Sequence, residues 1–257
     1  MELIDTHCHL DVADFDADRA EVLAQCRARG VNRIVVPAVD AAGWDKLLAL
    51  CTDEAGLYPA LGLHPVYLDQ HRPEHVTALA EQVARKRPVA VGEIGLDYFV
   101  TELDRARQQN LFDAQLRIAA EARLPVLLHV RKAHDEVLAT LRRIPVKGGI
   151  CHAFNGSLQQ AQHYIKLGFK LGFGGMLTYD RSLKLRRLAA ELPLDAIVLE
   201  TDAPDMAVAS HRGERNSPAY LPECLAALAE LRGEDPAHLA AITTRNALAV
   251  LDLPAAA

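Results

Sequence analysis

The chain has 257 residues, of which 50% are hydrophobic, and its formal net charge at pH 7 is −6. This length suits one large α/β domain with an extensive core, and we expect residues 1–257 to form a single domain. The acidic balance excludes broad nucleic-acid binding through a basic surface, but it leaves room for a nuclease whose bound cations supply local positive charge.

Short apolar runs rich in β-branched residues recur along the chain and predict eight strands. They cover residues 3–4, 32–36, 58–63, 89–91, 126–128, 148–151, 169–173 and 196–199. Segments with helical periodicity separate or follow them, at 18–29, 43–51, 74–86, 103–122, 133–141, 158–167, 182–191, 221–231 and 236–250.

Strands that alternate with helices predict βαβ units and a parallel sheet. Because the strands are continuously apolar, we expect burial on both faces of that sheet. Eight units at a spacing of roughly thirty residues predict an α/β fold of the (β/α)8, or TIM-barrel, type. A doubly wound open sheet is the alternative, but no glycine-rich nucleotide loop follows the first strand.

The cysteines indicate a reducing compartment. There are five, an odd number, and none forms a CxxC pair: Cys8, Cys26, Cys51, Cys151 and Cys224. The first apolar run, Leu3-Ile4, leads directly into Asp5 and leaves no room for a signal peptide. No apolar run approaches the length of a membrane span. We therefore expect a cytoplasmic protein without a membrane partner, and we expect a monomer.

Ionisable side chains gather at the predicted carboxyl ends of the strands, where chemistry takes place in barrels. Of the 11 histidines, five lie at such ends: His7, His9, His64, His129 and His152. Two carboxylates do the same, Glu93 after the fourth strand and Asp202 after the eighth. For the remaining histidines we expect solvated side chains in helices or polar loops: His71, His75, His134, His163, His211 and His238.

Each of these residues alone has an ordinary structural explanation. A His-x-His pair at a strand end is usually a turn, His152 suits a satisfied core histidine, and His64 suits a loop. Asp202 suits a turn cap, and Glu93 suits a pair with a buried arginine. Together, four histidines and two carboxylates from five converging strands are costly to bury unless a cation compensates them, which predicts a metal site.

The composition of this predicted site favours two ions. Residues two apart in an extended segment point the same way, so His7 and His9 can grip one ion. Six ligands are too many for one catalytic ion with an open position, but they suit two ions roughly 3.5–4 Å apart. Glu93, between two glycines, is placed to bridge them. Imidazole with carboxylate suits zinc, manganese or iron, and carboxylate-rich sites hold magnesium.

The short motifs around these residues occur in a familiar order. They are DTHCHLD at 5–11, GLHP at 62–65, GEIGLDY at 92–98, QxxxFxxQL at 108–116, PVLLHVR at 125–131, CHAFNG at 151–156 and LETDAP at 199–204, followed by RGERNSP at 212–218. Together they resemble the TatD family of metal-dependent deoxyribonucleases. One stretch departs from the family: residues 205–210 lack the Tyr-Leu or Phe-Leu pair and the prolines that many members carry beside the substrate cleft.

The resemblance implies an amidohydrolase-like TIM barrel with two divalent ions, and a nuclease that uses magnesium or manganese to trim DNA from the 3′ end. Zinc remains an alternative metal. Carried over by position, the first ion is held by His7, His9, Glu93 and Asp202, and the second by Glu93, His129 and His152. His64 matches the family histidine that contacts the scissile phosphate.

We therefore predict hydrolysis of phosphodiester bonds in DNA, acting on single strands or strand ends. The ions would polarise the phosphoryl oxygens and lower the pKa of a bridging water. Asp202 would orient that water and accept its proton, and His64 would donate to a phosphate oxygen. Arg131 either holds phosphate or pairs with a neighbouring carboxylate. Tyr98 is expected to pack at the rim rather than stack a base, and Arg212 and Arg215 are expected to latch a loop rather than touch the nucleic-acid backbone.

Two other functions fit parts of the pattern. A small-molecule amidohydrolase or phosphodiesterase of the same superfold is the main alternative, although many binuclear members bridge their ions with a carboxylated lysine. No lysine lies at a predicted strand end, and Glu93 takes the bridging place. The other alternative is a non-catalytic metal-dependent binding protein, which the complete ligand set disfavours.

Overall fold

Eight parallel strands lie side by side in one sheet, in the order in which they occur along the chain. The computed structural model describes residues 2–254, so Met1 and residues 255–257 of the predicted domain lie outside it. The strands are β1 (Leu3–Asp5), β2 (Val31–Pro37), β3 (Leu57–Leu61), β4 (Ala90–Asp97), β5 (Val126–Arg131), β6 (Gly149–Cys151), β7 (Phe169–Phe173) and β8 (Ile197–Leu199).

The sheet curls into a nearly closed barrel, as the sequence predicts. Backbone hydrogen bonds join the segments at the carboxyl ends of β1 and β8. The N–H of Thr6 donates to the carbonyl of Leu199 at 3.1 Å, and the N–H of Asp202 donates to the carbonyl of His7 at 2.8 Å. The seam between the first and last strands therefore holds two predicted metal ligands in register.

Nine α-helices are seen in the described residues, and they occur where helical periodicity predicts them. They are α1 (Arg19–Ala28), α2 (Trp44–Asp53), α3 (Pro73–Lys86), α4 (Arg105–Ala122), α5 (His134–Arg143), α6 (Leu158–Lys166), α7 (Leu183–Glu191), α8 (Leu221–Arg232) and α9 (Pro236–Leu251). None of the helices between residues 2 and 254 combines the length and apolar character needed to cross a bilayer.

Polar caps fix where several helices begin. The side chain of Asp104 accepts from the N–H of Arg107 at the start of α4. Ser157 and Gln160 form a reciprocal capping box at the start of α6. Each pair satisfies N–H groups that have no partner within the helix. These helices therefore begin just after the loops that leave β4 and β6.

Strand β4 differs from the prediction, and the difference concerns Glu93. The apolar run at 89–91 predicts a strand that ends before Glu93, but β4 continues to Asp97. The register between β4 and β5 shifts between Val91 and Ile94. Glu93 is thus part of a locally irregular strand, not of the loop that follows it.

The barrel floor is apolar and is covered by α9. One small cluster combines a buried residue from each of seven strands with three residues of α9: Ile4, Val35, Ala60, Ala90, Leu127, Ile150 and Val198, with Ala247, Val250 and Leu251. A larger cluster packs the other helices against the outside of the sheet. The apolar floor leaves polar side chains to collect at the carboxyl ends of the strands.

Candidate metal centre

Every histidine and carboxylate predicted to bind metal lies at one end of the barrel. His7 is fully buried, and the others line a cleft of about 700 Å³ together with His64. Their positions follow the strands: His7 and His9 after β1, His64 after β3, Glu93 in β4, His129 in β5, His152 after β6 and Asp202 after β8. The described structure therefore brings together all the residues that the sequence singled out.

Glu93 lies at the middle of the group, with one carboxylate oxygen toward each side. Its Oε2 lies 3.1 Å from Nε2 of His7 and 3.4 Å from Nε2 of His9. Its Oε1 lies 3.0 Å from Nδ1 of His129 and 3.2 Å from Nε2 of His152. The side chain is almost fully buried, so imidazoles rather than water surround both oxygens.

Asp202 completes the side of the group that Oε2 of Glu93 faces. Its Oδ1 lies 3.7 Å from Nε2 of His7 and 3.7 Å from Nε2 of His9. The donor atoms of these three residues all lie within 4.8 Å of one another. Two imidazole nitrogens and a carboxylate oxygen in this arrangement suit a divalent cation.

Outer hydrogen bonds set the tautomers of two of the inward-facing histidines. Nδ1 of His9 lies 3.1 Å from the carbonyl of Pro37, and Nε2 of His129 lies 2.9 Å from Oδ2 of Asp97. Each outer nitrogen must carry the proton that it donates, which leaves the inner nitrogen with a lone pair. A lone pair directed into the centre is what metal ligation requires, so these residues fit a bound cation.

His64 has the opposite tautomer. Its Nδ1 accepts from the N–H of Val66 at 3.1 Å, so in the neutral ring Nε2 carries the proton. That Nε2 lies 3.3 Å from Oε1 of Glu93 and 3.1 Å from Nδ1 of His129. Its position alone groups it with Glu93 and His129 as a potential ligand. The proton on Nε2 favours a hydrogen-bond donor instead.

Burial and mutual contact set the charges in the cluster. Burial lowers the pKa of His7 to about 3 and the pKa of His64 to about 4, so both rings are neutral at pH 7. Burial opposes the charge on Glu93, but the neighbouring imidazoles outweigh it and hold the pKa of Glu93 well below its usual range. Burial also lowers the pKa of His9, but Glu93 and Asp202 reverse this and raise it to about 9. A cation would compete with that proton.

Asp5 is a functional residue that the sequence reasoning passed over. It is fully buried, and Oδ1 accepts from the N–H groups of His7 at 3.1 Å and Thr201 at 3.0 Å. Its Oδ2 accepts from the hydroxyl of Thr201 at 2.5 Å. Burial dominates and raises the pKa of Asp5 to about 8. Asp5 thus ties the ligand-bearing segment after β1 to the one after β8.

Two further carboxylates escaped the sequence reasoning, which considered only the ends of short strands. Asp97 contacts His129, and Glu200 lies beside His152. Both are buried. Each stands next to a recognised motif residue, Asp97 within GEIGLDY and Glu200 within LETDAP, and that adjacency was the available signal.

Arg131 makes the carboxylate pair considered for it, and its role toward phosphate stays a prediction. One guanidinium nitrogen lies 3.7 Å from Oδ2 of Asp97, the guanidinium stacks 4.1 Å over the ring of Phe99, and the side chain lines the cleft. Because the side chain is 45% exposed, the ion pair adds little stability and leaves the charge accessible. Tyr98 packs against the core as expected, with the guanidinium of Arg105 over its ring.

Arg215 makes the predicted loop latch, whereas the side chain of Arg212 is exposed and forms no ion pair among the described residues. The guanidinium of Arg215 forms two hydrogen bonds with the carboxylate of Asp18, at 2.9 and 2.6 Å.

The expectation of solvated side chains was wrong for two histidines outside the cleft. His71 is buried and donates from Nε2 to the carbonyl of His64 at 2.8 Å, and His134 is buried against the hydroxyl of Tyr164.

Comparison with known proteins identifies the family of the chain. The family model described as "TatD related DNase" matches residues 4–252. The chain is 42% identical to an uncharacterized metal-dependent hydrolase of Escherichia coli, YjjV, over 98% of both chains. The crystal structure of that protein superposes with a TM-score of 0.94 and 41% identity, again covering 98% of each chain. A 3′-5′ ssDNA/RNA exonuclease, TatD of Cronobacter sakazakii, is 35% identical and covers 95% of this chain and 96% of its own. The chain is therefore a metal-dependent hydrolase that belongs to the TatD-related DNase family.

Proposed function

We propose that this protein is a 3′-5′ exodeoxyribonuclease that hydrolyses phosphodiester bonds at a binuclear metal centre. The observation that carries the proposal is the placement of Glu93, whose two oxygens face two different sets of imidazoles. A relative named as a 3′-5′ single-stranded DNA and RNA exonuclease supports the substrate class. Magnesium or manganese is the proposed metal, with zinc as the alternative.

The proposed ligand sets follow the two oxygens of Glu93. The first ion would be held by His7, His9, Glu93 and Asp202, and the second by Glu93, His129 and His152. Bound in this way, the ions would supply Lewis acidity at the phosphoryl oxygens. Asp202, whose carboxylate is 17% exposed to the cleft, would orient the attacking water and accept its proton.

His64 would serve as a hydrogen-bond donor to a phosphate oxygen. The N–H of Val66 occupies its Nδ1, and burial keeps the ring neutral, so a proton remains on Nε2 at the centre. A donor fixed before the reaction begins stabilises developing negative charge without reorganisation. This role explains why a seventh polar residue stands among the proposed ligands.

An exposed aromatic ring next to the cleft favours a nucleic-acid end over a small ester. Phe99 is 52% exposed, and its ring centre lies 4.1 Å from the guanidinium of Arg131, which lines the cleft, and 5.0 Å from the ammonium of Lys132. Exposed aromatic rings beside cations suit a stacked base and its phosphate. The net charge of −6 disfavours wrapping a duplex. We therefore propose single-stranded ends as the substrate.

The alternative is a small-molecule amidohydrolase or phosphodiesterase. A carboxylated lysine bridges the ions of many such enzymes, and the cleft of the described chain is lined by no lysine.

We also propose a monomeric, cytoplasmic protein. All five cysteines are free thiols, which suits a reducing compartment.

The first prediction concerns direction and metal. A 5′-labelled single-stranded oligonucleotide incubated with magnesium or manganese is expected to give a ladder that shortens from the 3′ end, and chelation is expected to stop it. A circular single strand offers no end and serves as the control. Cleavage of the circle at a comparable rate would contradict an exonuclease, and full activity in verified metal-free protein would contradict the metal centre.

The second prediction concerns the bridge. Glu93→Gln keeps the size of the side chain but removes the charge that would hold two cations close together. At least one ion per chain is expected to be lost in elemental analysis, together with activity. Glu81→Gln, the same change on the exposed face of α3, is expected to keep both ions and activity. Two tightly held ions in folded Glu93→Gln protein would rule out bridging.

The third prediction separates donor from ligand at His64. His64→Ala is expected to retain both ions while turnover falls on the order of 100-fold or more, because a transition-state donor has been removed. His238→Ala, at an exposed position in α9, is the matched control. Loss of an ion from His64→Ala would show that its position beside Glu93 and His129 makes it a ligand instead.

The fourth prediction tests the rim. Phe99→Leu is expected to raise KM for an oligonucleotide about tenfold, because stacking on an aromatic side chain contributes roughly 1–3 kcal/mol per base. KM for a small phosphodiester without nucleobases is expected to stay unchanged. Phe99→Tyr retains an aromatic ring and is expected to behave like the parent. Equal effects on both substrates would favour the small-molecule alternative.

A further inference from the structure

Glu200 lies behind His152, on the side away from the cleft centre. It directly follows β8 and is 1% exposed. Its Oε1 accepts from the N–H of Ala153 at 2.5 Å and lies 3.5 Å from Nδ1 of His152. The ring of His152 therefore has Glu93 at its inner nitrogen, whereas its outer nitrogen, Nδ1, is buried beside Glu200 and forms no hydrogen bond among the described residues.

The neighbouring strand is shaped to admit this carboxylate. A Cβ built on Gly172 would lie 2.1 Å from Oε2 of Glu200, and one on Gly174 would lie 2.8 Å from the backbone carbonyl oxygen of Glu200. A side chain at Gly172 would therefore displace the carboxylate, and one at Gly174 would collide with the backbone that carries it. Within the described residues, Oε2 is buried and has no hydrogen-bond partner. Burying a carboxylate oxygen without a hydrogen-bond partner costs free energy of folding unless a positive charge lies near it.

Asp97 has the corresponding position behind His129. It is fully buried, and its Oδ2 lies 2.9 Å from Nε2 of that ring. Its Oδ1 accepts from the N–H groups of Phe99 at 2.9 Å and Val100 at 3.0 Å, which fixes the carboxylate in place. Both histidines proposed for the second ion thus have a buried carboxylate at the outer nitrogen.

The histidines proposed for the first ion lack such carboxylates. Nδ1 of His9 faces the neutral carbonyl of Pro37, and among the described residues the carboxylates within 4.0 Å of the His7 ring lie at Nε2, not at Nδ1. This difference between the two sets of histidines follows the number of carboxylate ligands that each proposed ion has. Asp202 gives the first ion a carboxylate of its own, whereas the second ion would share Glu93 and otherwise have neutral imidazoles.

We propose that Glu200, with Asp97 as its counterpart, is a positioning residue for the second metal ion. Asp97 accepts a hydrogen bond from the outer nitrogen of His129, and Glu200, 3.5 Å from the outer nitrogen of His152, would do the same once a bound cation fixes that ring. A proton held on the outer nitrogen directs the inner lone pair to the metal and raises the basicity of the ring. This inference rests on the proposed binuclear centre.

Manganese titration of Glu200→Gln tests the inference. The amide is neutral and can present an N–H to the imidazole, which favours the wrong tautomer of His152. Affinity for one of the two ions is expected to fall about 10- to 100-fold, while the other ion binds nearly as in the parent. Turnover is expected to recover as the manganese concentration rises, which a merely structural defect would not allow. Glu81→Gln is the control for the substitution itself.

Asp97→Asn provides a second measurement if Glu200→Gln does not fold. It is expected to weaken one ion selectively, in the same way. Unchanged affinity for both ions in either folded variant, with two ions bound by the parent, would overturn this inference and leave the proposed function intact. Equal weakening of both ions would overturn it as well. A parent chain that binds a single ion would overturn the binuclear proposal and this inference together.

Discussion

The structure depends on the burial of one carboxylate, Glu93, among imidazoles carried by several strands. Removing such a charge from water costs several kcal/mol unless partners replace the lost hydration. The partners of Oε1 come from β5 and the end of β6, next to β4 in the sheet, whereas the partners of Oε2, His7 and His9, follow β1. The set of partners is therefore complete only after closure of the barrel.

The seam between the first and last strands makes that event possible. Asp5 accepts hydrogen bonds from the segments after both β1 and β8, and so fixes His7 relative to Thr201 and Asp202. Its pKa of about 8 reflects burial that outweighs these bonds. Asp5 thus has a structural position beside the carboxylates that are proposed to bind metal.

The barrel and the convergence of the histidines could be predicted from sequence, because apolar runs, helical periodicity and strand-end polarity are local signals. The position of Glu93 inside β4 could not, since the register shift beside it depends on pairing with β5. The roles of Asp97 and Glu200 were also hidden, because they depend on which imidazole each carboxylate meets in space. His71 and His134 were misjudged for the same reason: burial by neighbouring segments leaves no trace in their own sequence.

The apolar floor of the barrel limits how a nucleic-acid strand could enter and leave the proposed active site. In the part of the chain that the structure describes, apolar residues from seven strands and from α9 fill the interior below the proposed metal ligands. In the proposed exonuclease, a strand that enters the cleft would therefore not pass beyond the metal centre. The released nucleotide and the remaining strand would leave through the same opening. After each cleavage, the strand would have to withdraw from the cleft before the nucleotide product could leave. This exchange at a single opening would limit how many nucleotides are removed each time the protein binds a strand.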